Sequence, residues 1–308
     1  MRIKEAYDKH CKRILSDKRV LCNIMKECIP EYKNMTREEI FMCIEDGGNK
    51  RYIKGLPNED FKIDNAVISY DILFTSRLPD SKNEISMYIN IEAQNNSNPG
   101  YPLINRATYY SSRIIAKQKG EIFKHSNYKE LKKVYSIWIC INPNKKDEDT
   151  INYYTFNENK LKGNSASVFD YRLINVIMLN VGHKYDYKKG KVGVLEMLNL
   201  LFHKNELSRE EVKNILEKEY DIIYSEKEVS DMCNFSDGLI EIGISQGISQ
   251  GISQGISQGI ALGMKQEKIN SIIKLLDSGM PIKEAFKILE PSDDVKKEVL
   301  TIISEKEC

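Results

Sequence analysis

Residues 67–94 read VISYDILFTSRLPDSKNEISMYINIEAQ, two strand-like runs on either side of a turn rich in Pro, Asp, Ser, Lys and Asn. This pattern predicts a β-hairpin. In the second run, apolar residues at 85, 87, 89 and 91 alternate with Ser86, Tyr88, Asn90 and Glu92. Because side chains alternate between the two faces of a strand, Glu92 and Gln94 project from the same face.

Asp71 interrupts the apolar first run, where an unpaired carboxylate is costly to bury. In the expected hairpin register, Asp71, Glu92 and Gln94 converge. Two carboxylates a few ångströms apart repel each other, and a hard divalent cation bound between them would relieve this repulsion. The alternative is that these are solvated carboxylates of an edge strand, with no ligand role.

Four blocks of the sequence resemble the Rpn family of PD-(D/E)XK nucleases, which comprises recombination-promoting nucleases and transposases. They are YDILF (70–74), YINIEAQNN (88–96), NPGYPLINRATYYSSRIIAKQ (98–118) and KKVYSIWICINP (132–143). The blocks occur in the family's order and at its spacing, and the resemblance covers roughly residues 1–265. The family pattern has an Asp in one strand and Glu-x-Gln in the next, where related enzymes carry Glu-x-Lys.

The resemblance implies an α/β fold with a restriction-endonuclease-like core, a mixed central sheet and flanking helices. It implies that Asp71 and Glu92 hold Mg²⁺, for which Mn²⁺ substitutes, together with the backbone carbonyl of Ala93. Gln94 would orient the attacking water, and the products would carry 5′-phosphate and 3′-hydroxyl ends. Glu45 is a further candidate ligand from an N-terminal helix, with a solvated helix end as the alternative.

The expected function is therefore a Mg²⁺-dependent DNA endonuclease that acts in recombination, mobile-element transfer or defence. The rival expectation is a catalytically weak or inactive protein of the nuclease fold, which binds DNA or assembles through its C-terminal repeat. The neutral amide of Gln94 motivates this rival, because it cannot stabilise hydroxide by charge.

A basic and aromatic helix is predicted over residues 104–119, with one face formed by Arg106, Tyr109, Tyr110, Arg113 and Lys117. Such a face can grip backbone phosphates and stack on bases. The alternative for one of the two tyrosines is a core position with its hydroxyl bonded. Eight Lys and Arg against two Glu between 106 and 133 favour a phosphate-facing surface, although mixed surface charge is the simpler interpretation.

The composition is that of a globular protein. The chain has 308 residues, of which 41% are hydrophobic and 30% charged, and a net charge of +1. No apolar run approaches the roughly 20 residues of a membrane span, and the N-terminus lacks the apolar region of a secretory signal. The seven Cys residues form no CxxC pair, so reduced thiols and a cytoplasmic location are expected.

Three regions are predicted along the chain: a nuclease-like domain (1–233), a Gly-Ile-Ser-Gln repeat (234–265) and a small helical tail (266–308). Glycine recurs at every fourth position from Gly243 to Gly263. In a helix each repeat advances about 400°, so the Ile stripe drifts by about 40° per repeat. The segment is predicted to be a marginal helix or linker that orders through self-association into a homo-oligomer, or else a low-complexity tether.

Overall fold

Helices and strands alternate along the first two thirds of the chain, and helices alone follow. The computed structural model describes residues 2–45, 50–57, 59–63, 66–79, 85–163, 171–187, 193–203 and 206–306. The strands are β1 (Glu59–Ile63), β2 (Ala66–Ser69), β3 (Ile72–Ser76), β4 (Met87–Asn96), β5 (Lys133–Asn142), β6 (Thr150–Thr155) and β7 (Ile174–Asn180). The helices are α1 (Arg2–Leu15), α2 (Lys18–Cys28), α3 (Arg37–Cys43), α4 (Leu103–Glu121), α5 (Val194–Phe202), α6 (Arg209–Tyr220), α7 (Glu226–Asp277), α8 (Ile282–Leu289) and α9 (Asp293–Lys306).

A five-stranded mixed sheet forms the centre of the N-terminal part, in the order β3-β4-β5-β7-β6. Strands β4, β5 and β7 are parallel, and the two outer strands are antiparallel to their neighbours. The predicted hairpin is confirmed as the β3–β4 pair, in which Ile72 lies opposite Ile91 and Ser76 opposite Met87. The α/β class and the mixed sheet flanked by helices are as predicted.

The first run of the hairpin consists of two strands, where the sequence predicts one. Val67 lies in β2, which pairs with β1 in a separate two-stranded sheet, and the chain bends at Asp71 before β3 begins. Because β2 and β3 are both apolar, the sequence pattern does not reveal the bend between them. The consequence is that Asp71 stands just before β3, outside the regular ladder.

The near-continuous apolar runs in β5 and β7 are buried on both faces, as expected for central parallel strands. On one face, Trp138 and Val134 pack with residues of α4, such as Ala107 and Ile114. The opposite face is linked to the N-terminal helices. The hydroxyl of Tyr135 donates to Glu31 (2.6 Å), just after α2. The two predicted site residues of β4, Glu92 and Gln94, therefore lie on the face of the sheet that packs against α4.

Two helices start at capping boxes that the sequence spacing Ser/Thr-x-x-Glu predicts. Thr36 and Glu39 form the box that starts α3, and Ser208 and Glu211 form the box that starts α6. The short helix predicted to reach Glu45 ends at Cys43, and Glu45 adopts a left-handed conformation with φ of 56°. The predicted helix stop at Gly47-Gly48 lies outside the described residues.

The chain divides into two compact units, Met1–Gly238 and Leu239–Cys308. The sequence places this boundary after residue 233. In the second unit the repeat is helical as part of α7, and Ile269, Ile272, Ala285, Val295 and Val299 form a small core beyond it. Among the described residues, no helix is both long enough and apolar enough to cross a bilayer.

Candidate metal and nucleic-acid site

Asp71 and Glu92 meet at the start of β3 because the hairpin register places them opposite each other. Ile72 pairs with Ile91, so the preceding residue, Asp71, lies beside Glu92. Two backbone-to-side-chain hydrogen bonds connect Asp71 with Glu92 and Ala93. The Asp71 N–H donates to Glu92 Oε1 (3.2 Å), and the Ala93 N–H donates to Asp71 Oδ2 (3.0 Å). The predicted convergence of these two carboxylates is therefore found in the structure.

Glu92 is a buried carboxyl group, with only 3% of its surface exposed. Burial is the largest cause that raises its pKa, and the neighbouring charge of Asp71 raises it further, to about 8. The Asp71 N–H and the Arg106 guanidinium act in the opposite direction. The group is thus held in a place where an additional positive charge would stabilise its ionised form.

The backbone carbonyl of Ala93 faces the same edge of β4 as its N–H, because the two groups of one strand residue point to the same side. Since that N–H is bonded to Asp71, the carbonyl oxygen also lies on the Asp71 side. Gln94, two residues after Glu92, is on the α4 face of β4 and partly exposed. The donor set at this point is thus two carboxylates, one carbonyl and a nearby amide.

Lys12 of α1 is a member of the site that the sequence analysis did not identify. Its Nζ lies 3.3 Å from Asp71 Oδ1, so each carboxylate oxygen of Asp71 has a partner. It also lines a cleft of about 500 Å³ with Lys9, Arg13, Lys54 and Asp71. Nothing in the local sequence signals the contact, because Lys12 is one of many basic residues on an amphipathic helix.

Arg106 of α4 stands on the Glu92 side of the site. Its Nη2 donates to the Tyr110 hydroxyl (2.8 Å) and lies 4.0 Å from Glu92 Oε2. The guanidinium also stacks over the rings of Tyr110 and Trp138, at 4.9 and 5.2 Å from their centroids. These aromatic contacts restrain Arg106 in one position beside the buried carboxylate.

The five residues of the predicted helix stripe do not form one exposed surface, and this expectation is corrected. Tyr110 and Arg113 are each 8% exposed, and Tyr110 packs in the core between α4 and the sheet. Tyr109 is 51% exposed, while Arg106 and Lys117 are half-buried. The alternative that one tyrosine packs inside with its hydroxyl bonded is confirmed for Tyr110.

Glu45 is not brought into this cluster. Its two carboxylate oxygens accept hydrogen bonds from the N–H groups of Lys54 (3.0 Å) and Gly55 (2.7 Å). Across the described ranges, no group of three or more His, Cys, Asp and Glu side chains could hold a metal ion together. The structure therefore gives Glu45 a loop-fixing role, separate from Asp71 and Glu92.

The remaining donors nevertheless suit Mg²⁺, which is usually held by one or two carboxylates and keeps several waters. Asp71, Glu92 and the Ala93 carbonyl offer only hard oxygen atoms. Asn90, two residues before Glu92 on the same face, is fully buried, and its Oδ1 accepts no hydrogen bond in the described structure. The raised pKa of Glu92 also favours a bound cation, because the ionised carboxylate has too little positive charge around it.

A second polar cluster, also absent from the sequence analysis, lies at the carboxyl ends of β5 and β7. The rings of His183 and His203 stack with centroids 4.9 Å apart, and His183 contacts Glu148 (3.1 Å) and Asn142 (3.2 Å). Burial is the main reason that the pKa of His203 falls to about 4, so this ring is neutral at physiological pH.

Comparison with known proteins found no matching family, no similar curated protein and no similar solved structure.

Proposed function

We propose that this protein is a metal-dependent DNA endonuclease with a restriction-endonuclease-like core. The observation that carries the proposal is the pairing of Asp71 with Glu92 across a hairpin, next to basic residues on two different helices. The resemblance of the four sequence blocks to the Rpn nucleases supports the same reaction. The same proposal includes a role for this nuclease in recombination, mobile-element transfer or defence.

In this proposal, Asp71, Glu92 and the carbonyl of Ala93 hold a divalent cation, Mg²⁺ or Mn²⁺. When bound, the cation would polarise the scissile phosphate and lower the pKa of a bound water. Gln94 orients the attacking water through its amide, and Arg106 faces a phosphate oxygen beside Glu92. The exposed ring of Tyr109 offers a stacking surface for a base or sugar. Hydrolysis leaves a 5′-phosphate and a 3′-hydroxyl end.

A second candidate is a DNA-binding or assembly protein that keeps the fold and lacks efficient catalysis. Two observations favour it. Gln94 is neutral, and Asp71 is already engaged by an ion pair with Lys12. If that ion pair replaces the metal, the two carboxylates have only a structural role.

Plasmid nicking by the purified protein separates the two candidates. We expect nicking that requires Mg²⁺ or Mn²⁺, is abolished in Asp71→Asn and Glu92→Gln, and persists in Glu38→Gln, which changes an exposed acid of α3. Calorimetry should show weaker metal binding by both site variants, and the double variant should lose little beyond either single one because both residues serve one ion. Metal-dependent nicking that survives Asp71→Asn would rule out this site, and no nicking by the wild type would favour the second candidate.

A further inference from the structure

The candidate site lacks a positive charge at the position where its strand carries Gln94. A cation beside the attacking water stabilises the hydroxide that forms as the water loses its proton, whereas an amide contributes only a dipole. Arg106 is a cation on the Glu92 side, but it is engaged by the Tyr110 hydroxyl (2.8 Å), the Tyr101 hydroxyl (3.4 Å) and two aromatic rings. It is therefore positioned to bind phosphate and is poorly placed to follow a reacting water.

Lys12 brings an ammonium group to the other carboxylate from a different element. Its Nζ is 3.3 Å from Asp71 Oδ1, and the two side chains are 34% and 18% exposed. Such a partly exposed ion pair contributes little to stability, so stability alone does not explain its placement. Helix α1 contacts β4, and the cleft beside Asp71 is open to a ligand along Lys9, Lys12 and Arg13.

We propose that Lys12 supplies the positive charge that β4 lacks at Gln94, as a catalytic residue of phosphodiester hydrolysis. This inference rests on the proposed nuclease function. The ammonium stabilises a hydroxide formed when the water beside Asp71 gives a proton to solvent. The oxygen of this hydroxide then bonds to phosphorus, the bond from phosphorus to the 3′ oxygen breaks, and that oxygen takes a proton from solvent. The ammonium itself stays charged throughout.

The ion pair with Asp71 allows the effect of Lys12 on metal affinity to be distinguished from its effect on the reaction rate. A cation 3.3 Å from Asp71 repels a divalent metal that approaches the same carboxylate. Removal of the charge should therefore leave metal affinity equal or higher while the reaction slows. A residue that merely fixes the conformation of Asp71 would give the opposite result, in which metal affinity and reaction rate fall together.

The test uses Lys12→Met, which keeps the aliphatic chain, and Lys12→Gln as a second variant in case the first is poorly folded. Lys33→Met is the control, because it removes the charge of an exposed lysine that does not line this cleft. Single-turnover plasmid nicking and Mn²⁺ calorimetry without DNA are measured on each. We expect Lys12→Met to nick about a hundredfold more slowly, with metal affinity unchanged or raised, and Lys33→Met to retain the wild-type nicking rate.

A rescue experiment adds Lys at position 94. Because Gln94 occupies the same face as Glu92, Lys12→Met/Gln94→Lys should recover a substantial part of the nicking that Lys12→Met loses. Wild-type nicking by Lys12→Met and Lys12→Gln would overturn the inference while leaving the proposed function intact. A joint loss of nicking and metal affinity, without rescue, would assign Lys12 a structural role. A wild type that never nicks would overturn both proposals.

Discussion

At the scale of single residues, Glu92 is the site carboxyl group whose pKa is strongly raised by its surroundings. It is buried, faces Asp71 and has a pKa raised from 4.5 to about 8. Between these two values the folded state binds a proton that the unfolded chain has already released. Because the folded state then holds more protons, stability falls as the pH rises through this interval.

We predict that the metal-free protein loses thermal stability between about pH 5 and pH 8, and that Glu92→Gln does not share this loss. Each pKa unit corresponds to about 1.4 kcal/mol. Thermal unfolding in a chelating buffer measures the effect, and the difference in slope between wild type and variant removes the contribution of other groups. Parallel slopes would show that Glu92 titrates as an ordinary exposed acid.

The two arginines of α4 differ in exposure, and this difference leads to opposite predictions. Arg106 lies at the surface side of the site, so Arg106→Ala should weaken DNA binding and lower the salt dependence by about one phosphate contact. Arg113 is 8% exposed, so Arg113→Ala should lower the unfolding temperature. Fluorescence anisotropy at several salt concentrations measures the first effect. An equal change of salt slope in both variants would mean that Arg113 also reaches DNA.

At the scale of elements, α7 carries the most unusual sequence feature. Ile248, Ile252, Ile256 and Ile260 are each more than half exposed, at 57–59%. A side-chain Cβ at Gly251, Gly255 or Gly259 would meet no atom within 4 Å apart from the adjacent backbone of the helix itself. The repeat is thus a helix with glycine at every fourth position and a drifting apolar stripe, as the four-residue period predicts, and the homo-oligomer stays a prediction.

Substitution of these glycines tests whether a second chain approaches them closely. In an isolated helix, Gly251→Ala and Gly255→Ala should each stabilise the segment by about 1 kcal/mol. Hydrogen exchange of amides 248–260 measures this local stability. If self-association brings another backbone against the glycines, the same substitutions should weaken assembly in light scattering, whereas Ser249→Ala on the exposed surface should not.

At the scale of the whole molecule, the division at Gly238 predicts that the first unit folds alone. Its sheet and helices form a core of their own, and Val229 and Met232 at the start of α7 are buried. A shortened protein ending at residue 238 should stay folded, keep metal-dependent nicking and lose any oligomerisation of the full chain. Light scattering and nicking assays on both proteins check this. A strictly monomeric full-length protein at micromolar concentration would remove the self-association role.

The sequence by itself was sufficient for features that depend on near neighbours. Period-two alternation establishes which face each residue of β4 occupies, and the hairpin pattern predicted the meeting of Asp71 with Glu92 that the strand register gives. Capping boxes depend on a three-residue spacing, so the starts of α3 and α6 were predictable. Continuous apolar runs at 134–141 and 173–181 are typical of central strands, and β5 and β7 occupy that position in the sheet.

Only the tertiary structure decided how these features combine. Alternation gives the face of a residue but not its depth, so neither the burial of Glu92 nor that of Arg113 follows from the pattern. The separation of β2 from β3 depends on pairing with β1, which sequence apolarity does not distinguish. The contact of Lys12 with Asp71 joins residues far apart in the chain. Such contacts arise from the packing of α1 beside the sheet, and no local spacing encodes them.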